Sequence, residues 1–207
     1  MRTDPSEEAA IESASATSDS IPKGPIGREG RLVRLREATL ADAPVLDARD
    51  ADPAMGGEFN DLGQPSPQPL AERLANGKRM VSPERGRLLV ERIEDGAVVG
   101  DVSWHPVQYG PNERSRALNI GAAIYPDARG QGFGTEAQRL LAELLLESFA
   151  IERVEASTDV DNVAEQRSLE KAGFTREGVI RRAQFRAEAY HDLVGYSFVR
   201  EDLERRR

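Results

Sequence analysis

The chain contains no cysteine, only two histidines and no excess of basic residues. Without cysteine there can be no disulfide, no thiolate zinc site and no acyl group carried on a thiol. The two histidines show no spacing to Asp or Glu that suggests a metal, so we expect no metal site. Basic residues number 28 and acidic residues 36, giving a net charge of −8. We therefore expect no nucleic-acid partner, because such binding needs a basic face.

Long apolar runs are also missing. No stretch of about 18 apolar residues exists, so we expect no membrane-spanning segment and no membrane partner. The N-terminal residues Met1 to Glu8 are acidic and have no apolar core, which is unlike a secretory signal peptide. The default expectation is a cytoplasmic protein.

The composition divides the chain into an arm and one domain. Residues 1–28 are rich in Ser, Ala, Glu and Pro and poor in large apolar side chains, so we predict a disordered N-terminal arm. A helix over Glu7 to Ala16 that forms on binding is the alternative. Residues 29–207 are long enough for one domain with a substantial core.

Hydrophobic periodicity predicts an α+β domain. The predicted strands are 32–36, 87–92, 97–104, 117–125, 153–158, 175–186 and 188–200. The predicted helices are 39–49, 70–76, 135–149 and 162–172. This order predicts a mixed, mostly antiparallel sheet of about seven strands with flanking helices.

Three alternating glycines, Gly130, Gly132 and Gly134, separate an apolar strand from a helix. Glycine allows a sharp turn in which backbone N–H groups converge, and the helix N-terminus adds its unpaired amides and positive dipole. This arrangement predicts a phosphate site. It is not a P-loop, which ends in Gly-Lys-Ser/Thr, and the dinucleotide fingerprint needs a glycine where Thr135 stands.

The spacing Arg129-x-x-Gly132-x-Gly134 resembles the acyl-CoA pyrophosphate loop of the GNAT superfamily of N-acetyltransferases. The segment from Asp161 to Phe174, which contains Asn162, resembles the helix that follows the next strand in the same superfamily. Residues 176–180 and 190–192 resemble the branch that contains the ribosomal-protein N-terminal acetyltransferases. The resemblance is close over 117–200 and looser from Leu32 to Leu203.

The resemblance implies the GNAT fold, in which a central pair of strands splays apart to admit the pantetheine arm. It implies acetyl-CoA as co-substrate, with one strand N–H, from Ala122 or Ala123, polarising the thioester carbonyl. The implied cofactor-binding residues are Ala123, Ile124, Arg129, Gly130, Gln131, Gly132, Phe133, Gly134, Thr135 and Asn162. Asn162 is also a predicted helix cap, with Glu165 reaching back to complete a capping box.

The proton-transfer groups are less clear. Members with a tyrosine acid place it seven residues after the asparagine, where this chain has Leu169. Glu58, in the Gly/Pro-rich loop that resembles the family's acceptor site, is the first candidate base, and His105 is the second. Asp61 lies in the same loop. Solvated loop acids and a structural histidine are the plain alternatives.

The expected function is direct transfer of an acetyl group from acetyl-CoA to a primary amine. We favour a small-molecule amine because we expect the prolines of the loop before Leu70 to order it, rather than leave an open peptide groove. The alternatives are acetylation of a protein N-terminus and a non-catalytic acyl-CoA-binding module. The sequence leaves open whether the protein forms a homodimer.

Overall fold

The computed structural model describes residues 25–52, 55, 57–59, 69–76 and 80–206. The predicted helix over Glu7 to Ala16, nearly all of the predicted arm, and Asp61 therefore lie outside the described residues. No helix of the described residues is long and apolar enough to cross a membrane.

The described elements follow the predicted order. The strands are β1 (Gly27–Glu29), β2 (Val33–Arg36), β3 (Gly86–Arg92), β4 (Val98–Gln108), β5 (Arg116–Ile124), β6 (Arg153–Asp159), β7 (Thr175–Arg186) and β8 (Ala189–Val199). The helices are α1 (Ala43–Asp50), α2 (Leu70–Ala75), α3 (Phe133–Ser148), α4 (Val163–Ala172) and α5 (Arg200–Glu204). Short 3-10 turns precede α1 at Leu40–Asp42 and α3 at Pro126–Ala128.

One sheet organises the domain, with the strand order β1-β2-β3-β4-β5-β6-β8-β7. Every neighbouring pair is antiparallel except β5 and β6, which run parallel. The predicted mixed, mostly antiparallel sheet is confirmed. Eight strands are described rather than about seven, because β1 was not predicted.

Strand β1 lies inside the segment that composition assigns to the arm. It pairs with β2, and the preceding Ile26 is only 5% exposed. Arg28 forms ion pairs with Glu143 and Glu147 on α3. One isoleucine among Pro, Gly and charged residues gives little local signal, because its burial depends on a core cluster whose other members, including the apolar face of α3, come later in the chain. The sheet therefore begins before the predicted boundary at residue 29.

The two faces of the sheet carry different layers. Helix α3 covers one face with the buried stripe Ala137, Leu140, Leu141, Leu144 and Leu145, as its spacing predicts. Helices α1 and α2 form a second, smaller core with Leu89 of β3. The phosphate loop therefore rests on a helix that the main core holds rigidly.

Strands β5 and β6 separate soon after they meet. Their parallel ladder contains three residue pairs, from Leu118 with Val154 to Ile120 with Ala156. Beyond Ile120, β5 stays paired with β4 as far as Ile124, while β6 stays paired with β8 as far as Asp159. A gap therefore opens in the middle of the sheet, as the resemblance implies.

Candidate active site

A cleft of about 650 Å³ occupies this gap. Its walls come from the end of β5, the glycine loop and the first turns of α3, the end of β6, the first turns of α4, and the short stretch Gly57–Phe59. Nearly all the predicted cofactor residues line it, as does Glu58, whereas Gln131 and His105 do not. The fold thus brings the glycine loop, the open strand edge and the predicted acceptor loop together.

The glycine loop leaves backbone amides free at the start of α3. Gly130 and Gly132 have φ angles of 76° and 87°, in the left-handed region that favours glycine. The N–H of Glu136 donates to the carbonyl of Gly132 over 3.1 Å, which starts the helical hydrogen bonding. The amides of Phe133, Gly134 and Thr135 precede that bond and have no partner within the helix. Together with the helix dipole they suit a phosphate group.

Gly134 matters for a different reason. A Cβ built there would lie 3.2 Å from Cγ1 of Ile124, a tight contact that would require the Ile124 side chain or the helix to shift by a few tenths of an ångström. Because Gly134 has no side chain, the first turn of α3 packs closely beside β5, the strand that borders the gap. Helix α3 begins at Phe133, two residues earlier than predicted.

Arg129 is held at the mouth of the cleft. Its Nε donates to the carbonyl of Ile124 over 2.9 Å. A Cβ on Gly57 would lie 3.5 Å from the Arg129 guanidinium, so the 57–59 stretch passes directly beside it. The arginine is exposed and lines the cleft.

The hydrogen-bonding pattern of β5 decides which amides face the gap. Tyr125 donates to the carbonyl of Val99 over 2.9 Å, so the N–H of Tyr125 points toward β4. Backbone groups of successive strand residues point to opposite sides, so the N–H of Ala123 also points toward β4. The N–H groups of Ala122 and Ile124 point into the gap. The bond from Arg129 to the Ile124 carbonyl agrees with this alternation. Of the two predicted donors to a thioester carbonyl, Ala122 has the correct direction.

Asn162 caps α4 as predicted, but Glu165 does not complete the capping box. The Oδ1 of Asn162 accepts from the N–H of Glu165 over 3.2 Å. The N–H of Asn162 donates instead to the carbonyl of Asp159 over 3.0 Å. The Glu165 carboxylate turns toward α3 and accepts from Nε2 of Gln138. The prediction for Glu165 was wrong because Gln138 comes near only in the folded chain.

Polar side chains connect α3 and α4 along one wall of the cleft. Thr135 Oγ1 lies 3.0 Å from Ser168 Oγ, and the Ser168 hydroxyl donates to the side-chain Oε1 of Gln138 over 3.2 Å. Since that bond uses the only hydroxyl proton of Ser168, Thr135 is the donor to Ser168. Burial raises the pKa of Glu165 despite the hydrogen bond from Gln138. This wall can therefore present both neutral and ionisable groups to a bound ligand.

Two basic residues that the sequence analysis did not single out also line the cleft. Arg167 and Lys171 lie four residues apart on α4, so they share one helix face, and both are exposed. Their charge can attract an anionic ligand to a protein that is negative overall. Their four-residue spacing in the sequence predicts that they share a helix face. It does not predict a binding site, because charged residues at this spacing are common on solvent-exposed helix faces.

The predicted proton-transfer candidates lie in different places. Glu58 is exposed and lines the cleft. His105 is exposed on β4 opposite Asn119, before the gap begins, and is not among the residues lining the cleft. Neither Tyr190, packed on Phe185, nor Tyr196, whose hydroxyl donates to Glu170, lines it either. Glu58 is thus the candidate that the fold places beside the open strand edge.

A family model described as an acetyltransferase (GNAT) domain matches residues 32–175. The chain belongs to the GNAT acetyltransferase family. The GNAT fold binds acetyl-CoA, and this member is an acetyl-CoA-dependent N-acetyltransferase. The geometry of the cleft agrees with that assignment, because free loop amides and an open strand edge lie side by side in it.

Named relatives support the same family. The uncharacterized N-acetyltransferase YoaA of Bacillus subtilis is 25% identical over 177 residues, covering 85% of this chain and 97% of YoaA. YdaF of the same organism, provisionally named a ribosomal N-acetyltransferase, is 30% identical over 112 residues, covering 54% of this chain and 59% of YdaF. Among solved structures, Mycobacterium smegmatis RimJ in complex with CoA-disulfide matches with a TM-score of 0.63 at 19% identity, covering 89% of each chain. At that identity, RimJ shows the shared fold alone.

Proposed function

We propose that this enzyme transfers an acetyl group directly from acetyl-CoA to the primary amine of a small molecule. The observation that carries the proposal is the position of the glycine loop at one end of the β5–β6 gap and of Glu58 on the wall of the same cleft. The loop amides would hold the pyrophosphate, and the pantetheine arm would lie along the open edge of β5 as an added strand does.

In the proposed mechanism the acceptor nitrogen attacks the thioester carbonyl carbon, and the bond from that carbon to sulfur breaks. CoA leaves as a thiolate, which takes a proton from solvent because Leu169 stands where other members have a tyrosine acid. The N–H of Ala122 donates to the carbonyl oxygen, where negative charge develops. Glu58 takes the proton that the amine must lose. Holding both substrates in one cleft makes the attack effectively intramolecular. No cysteine is available to carry the acetyl group, so a thiol-linked intermediate is excluded.

The size of the acceptor is inferred from the cleft wall. The Gly57–Phe59 stretch lies against Arg129 on one side and hydrogen-bonds to Arg186 on the other, so it forms a wall of the cleft between these two side chains. A walled acceptor end favours a small amine over a long peptide. Acetylation of a protein N-terminus is the second candidate, and the ribosomal N-acetyltransferase name provisionally given to YdaF favours it.

The test is a measurement of CoA release with a thiol-reactive chromophore. Because the protein has no cysteine, it adds no background to this signal. The acceptors would be diamines, polyamines, aminoglycosides and short peptides with free Ser or Ala N-termini. Release with an amine and not with the peptides supports the proposal, and release with the peptides alone supports the second candidate. CoA binding without release for any acceptor indicates a non-catalytic module.

A further inference from the structure

The tip of the β7–β8 hairpin reaches the acceptor end of the cleft. Its two turn residues, Ala187 and Glu188, have φ angles of 48° and 61°, the double left-handed conformation of a tight hairpin turn. The turn pairs Arg186 with Ala189. The Arg186 side chain is 12% exposed, so the turn directs a charged group inward rather than into solvent.

Arg186 joins two segments that are distant in sequence. One guanidinium nitrogen, Nη2, lies 2.5 Å from Oδ2 of Asp159, at the end of β6. The other, Nη1, donates to the backbone carbonyl of Glu58 over 2.6 Å. The guanidinium carbon also lies 5.5 Å from the centre of the Phe59 ring. The hairpin tip therefore holds the Glu58–Phe59 stretch through a hydrogen bond and a cation–π contact.

Asp159 is itself fixed on several sides. Its side chain is 1% exposed, its Oδ1 accepts from the N–H of Asp161 over 2.9 Å, and its Oδ2 lies 3.3 Å from Nδ1 of His191. Nε2 of His191 lies 3.1 Å from the carbonyl of Arg186, which orients the ring. Burial raises the pKa of Asp159, but these hydrogen bonds and charges bring it below the ordinary value. The carboxylate is thus an ionised, rigid anchor for Arg186.

We propose that Arg186 is a positioning residue that fixes the Glu58–Phe59 stretch at the acceptor end of the cleft. This inference rests on the proposed function in one respect, namely that the amine binds at this end of the cleft. The geometry requires arginine, because two donors must point in different directions from one buried group, which a lysine ammonium does less well. Removing the guanidinium also leaves Asp159 as a buried charge with a single ionisable neighbour.

The direct test measures cleavage after Glu58 by a glutamate-specific protease in the full chain. In an Arg186→Met variant, the rate of cleavage at the Glu58–Phe59 bond should rise about tenfold. The cleavage rate of an Arg186→Lys variant should lie between those of Arg186→Met and the wild-type protein. Arg181→Met is the matched control, since Arg181 is exposed on the same strand. Cleavage after the exposed Glu113, in the β4–β5 connection, reports any general loosening of the fold.

A second readout separates positioning from folding. With the amine that releases CoA fastest, Arg186→Met should raise the amine KM about tenfold and leave the Kd for CoA unchanged. Unchanged cleavage after Glu58, or equal acceleration after Glu58 and Glu113, would overturn the proposal. If the wild-type protein acetylates no amine, the proposed function fails, but the protease measurement still decides the role of Arg186.

Discussion

The phosphate end of the cleft, as we propose it, is residues 129–136, a single short segment whose backbone amides would supply the binding groups. The proposed acceptor end is built from Glu58, Asp159 and Arg186, which are joined by hydrogen bonds of the Arg186 side chain that span 27 and 128 residues. A site made of local backbone can be recognised from a short motif, because the spacing of glycines fixes the geometry. A site made of distant side chains can be recognised only once the fold places them together.

The largest expected effect tests the acceptor end. Glu58→Gln keeps the size of the side chain and removes its basicity, so turnover should fall about a hundredfold and the acidic limb of the pH–rate profile should disappear. Steady-state CoA release over a pH series measures both. His105→Gln is the control and should retain turnover, because His105 lies away from the cleft lining. Wild-type turnover and an unchanged acidic limb in Glu58→Gln would move the base to another group or to solvent.

The next effect concerns the support of the phosphate end. The Glu136 carboxylate, in the first turn of α3, accepts from the N–H groups of Arg31, Leu32 and Val33 over 3.0, 2.6 and 2.9 Å. Burial raises its pKa, but these three bonds outweigh burial and lower it. Glu136→Gln should cost about 2 kcal/mol of stability at neutral pH, because hydrogen bonds to a charged acceptor are lost.

The pH dependence of that loss has a definite sign. Since the folded-state pKa of Glu136 is lowered, its contribution is present above the ordinary pKa of glutamate and is lost as the pH falls through the lowered value. Urea unfolding at several pH values should show the wild-type advantage shrinking in acid. The control is Glu152→Gln, whose side chain is 80% exposed and whose ion pair with Arg200 should contribute little. Equal losses for both variants would mean that the three backbone bonds add nothing.

A smaller effect separates backbone strain from ligand contact. Gly132→Val should raise the Kd for CoA at least about tenfold, or about 1.4 kcal/mol, because a side chain would block approach to the loop amides. Gly96→Val is a matched control, since Gly96 has a φ of 74° in the β3–β4 turn, away from the cleft. Both variants should lose stability, but only Gly132→Val should lose affinity in calorimetry. Unchanged affinity in folded Gly132→Val protein would remove the loop from the site.

The smallest expected effect is that of removing residues 1–24. A variant lacking residues 1–24 should keep the melting temperature and CoA affinity of the full chain, because their composition provides few large apolar groups to bury. A variant lacking residues 1–29 should melt several degrees lower, since it loses β1 and the burial of Ile26, about 1.5–3 kcal/mol. A clear loss in the shorter deletion would place part of the arm in the folded domain.

The fold and the position of the glycine loop between β5 and α3 were largely predictable. Alternating apolar residues, the glycine loop and the Asn162 cap are each fixed by neighbours within a few positions, and the structure places them as expected. The misses share one cause. Ile26 is buried and Glu165 bonds to Gln138 because of partners on α3, while Arg186 turns inward because of Asp159. Local sequence does not encode which distant side chain a polar or isolated apolar residue will meet.

The three-pair ladder between β5 and β6 has a consequence for cooperativity. It is the only backbone junction in the described sheet between the five strands β1–β5 and the three strands β6–β8. Opening the sheet there breaks few hydrogen bonds, so sub-global opening at this junction should expose its amides to exchange. A ligand seated in the gap touches both halves and stabilises only the joined state. Cofactor binding would then make the β1–β5 and β6–β8 halves of the sheet unfold as one unit.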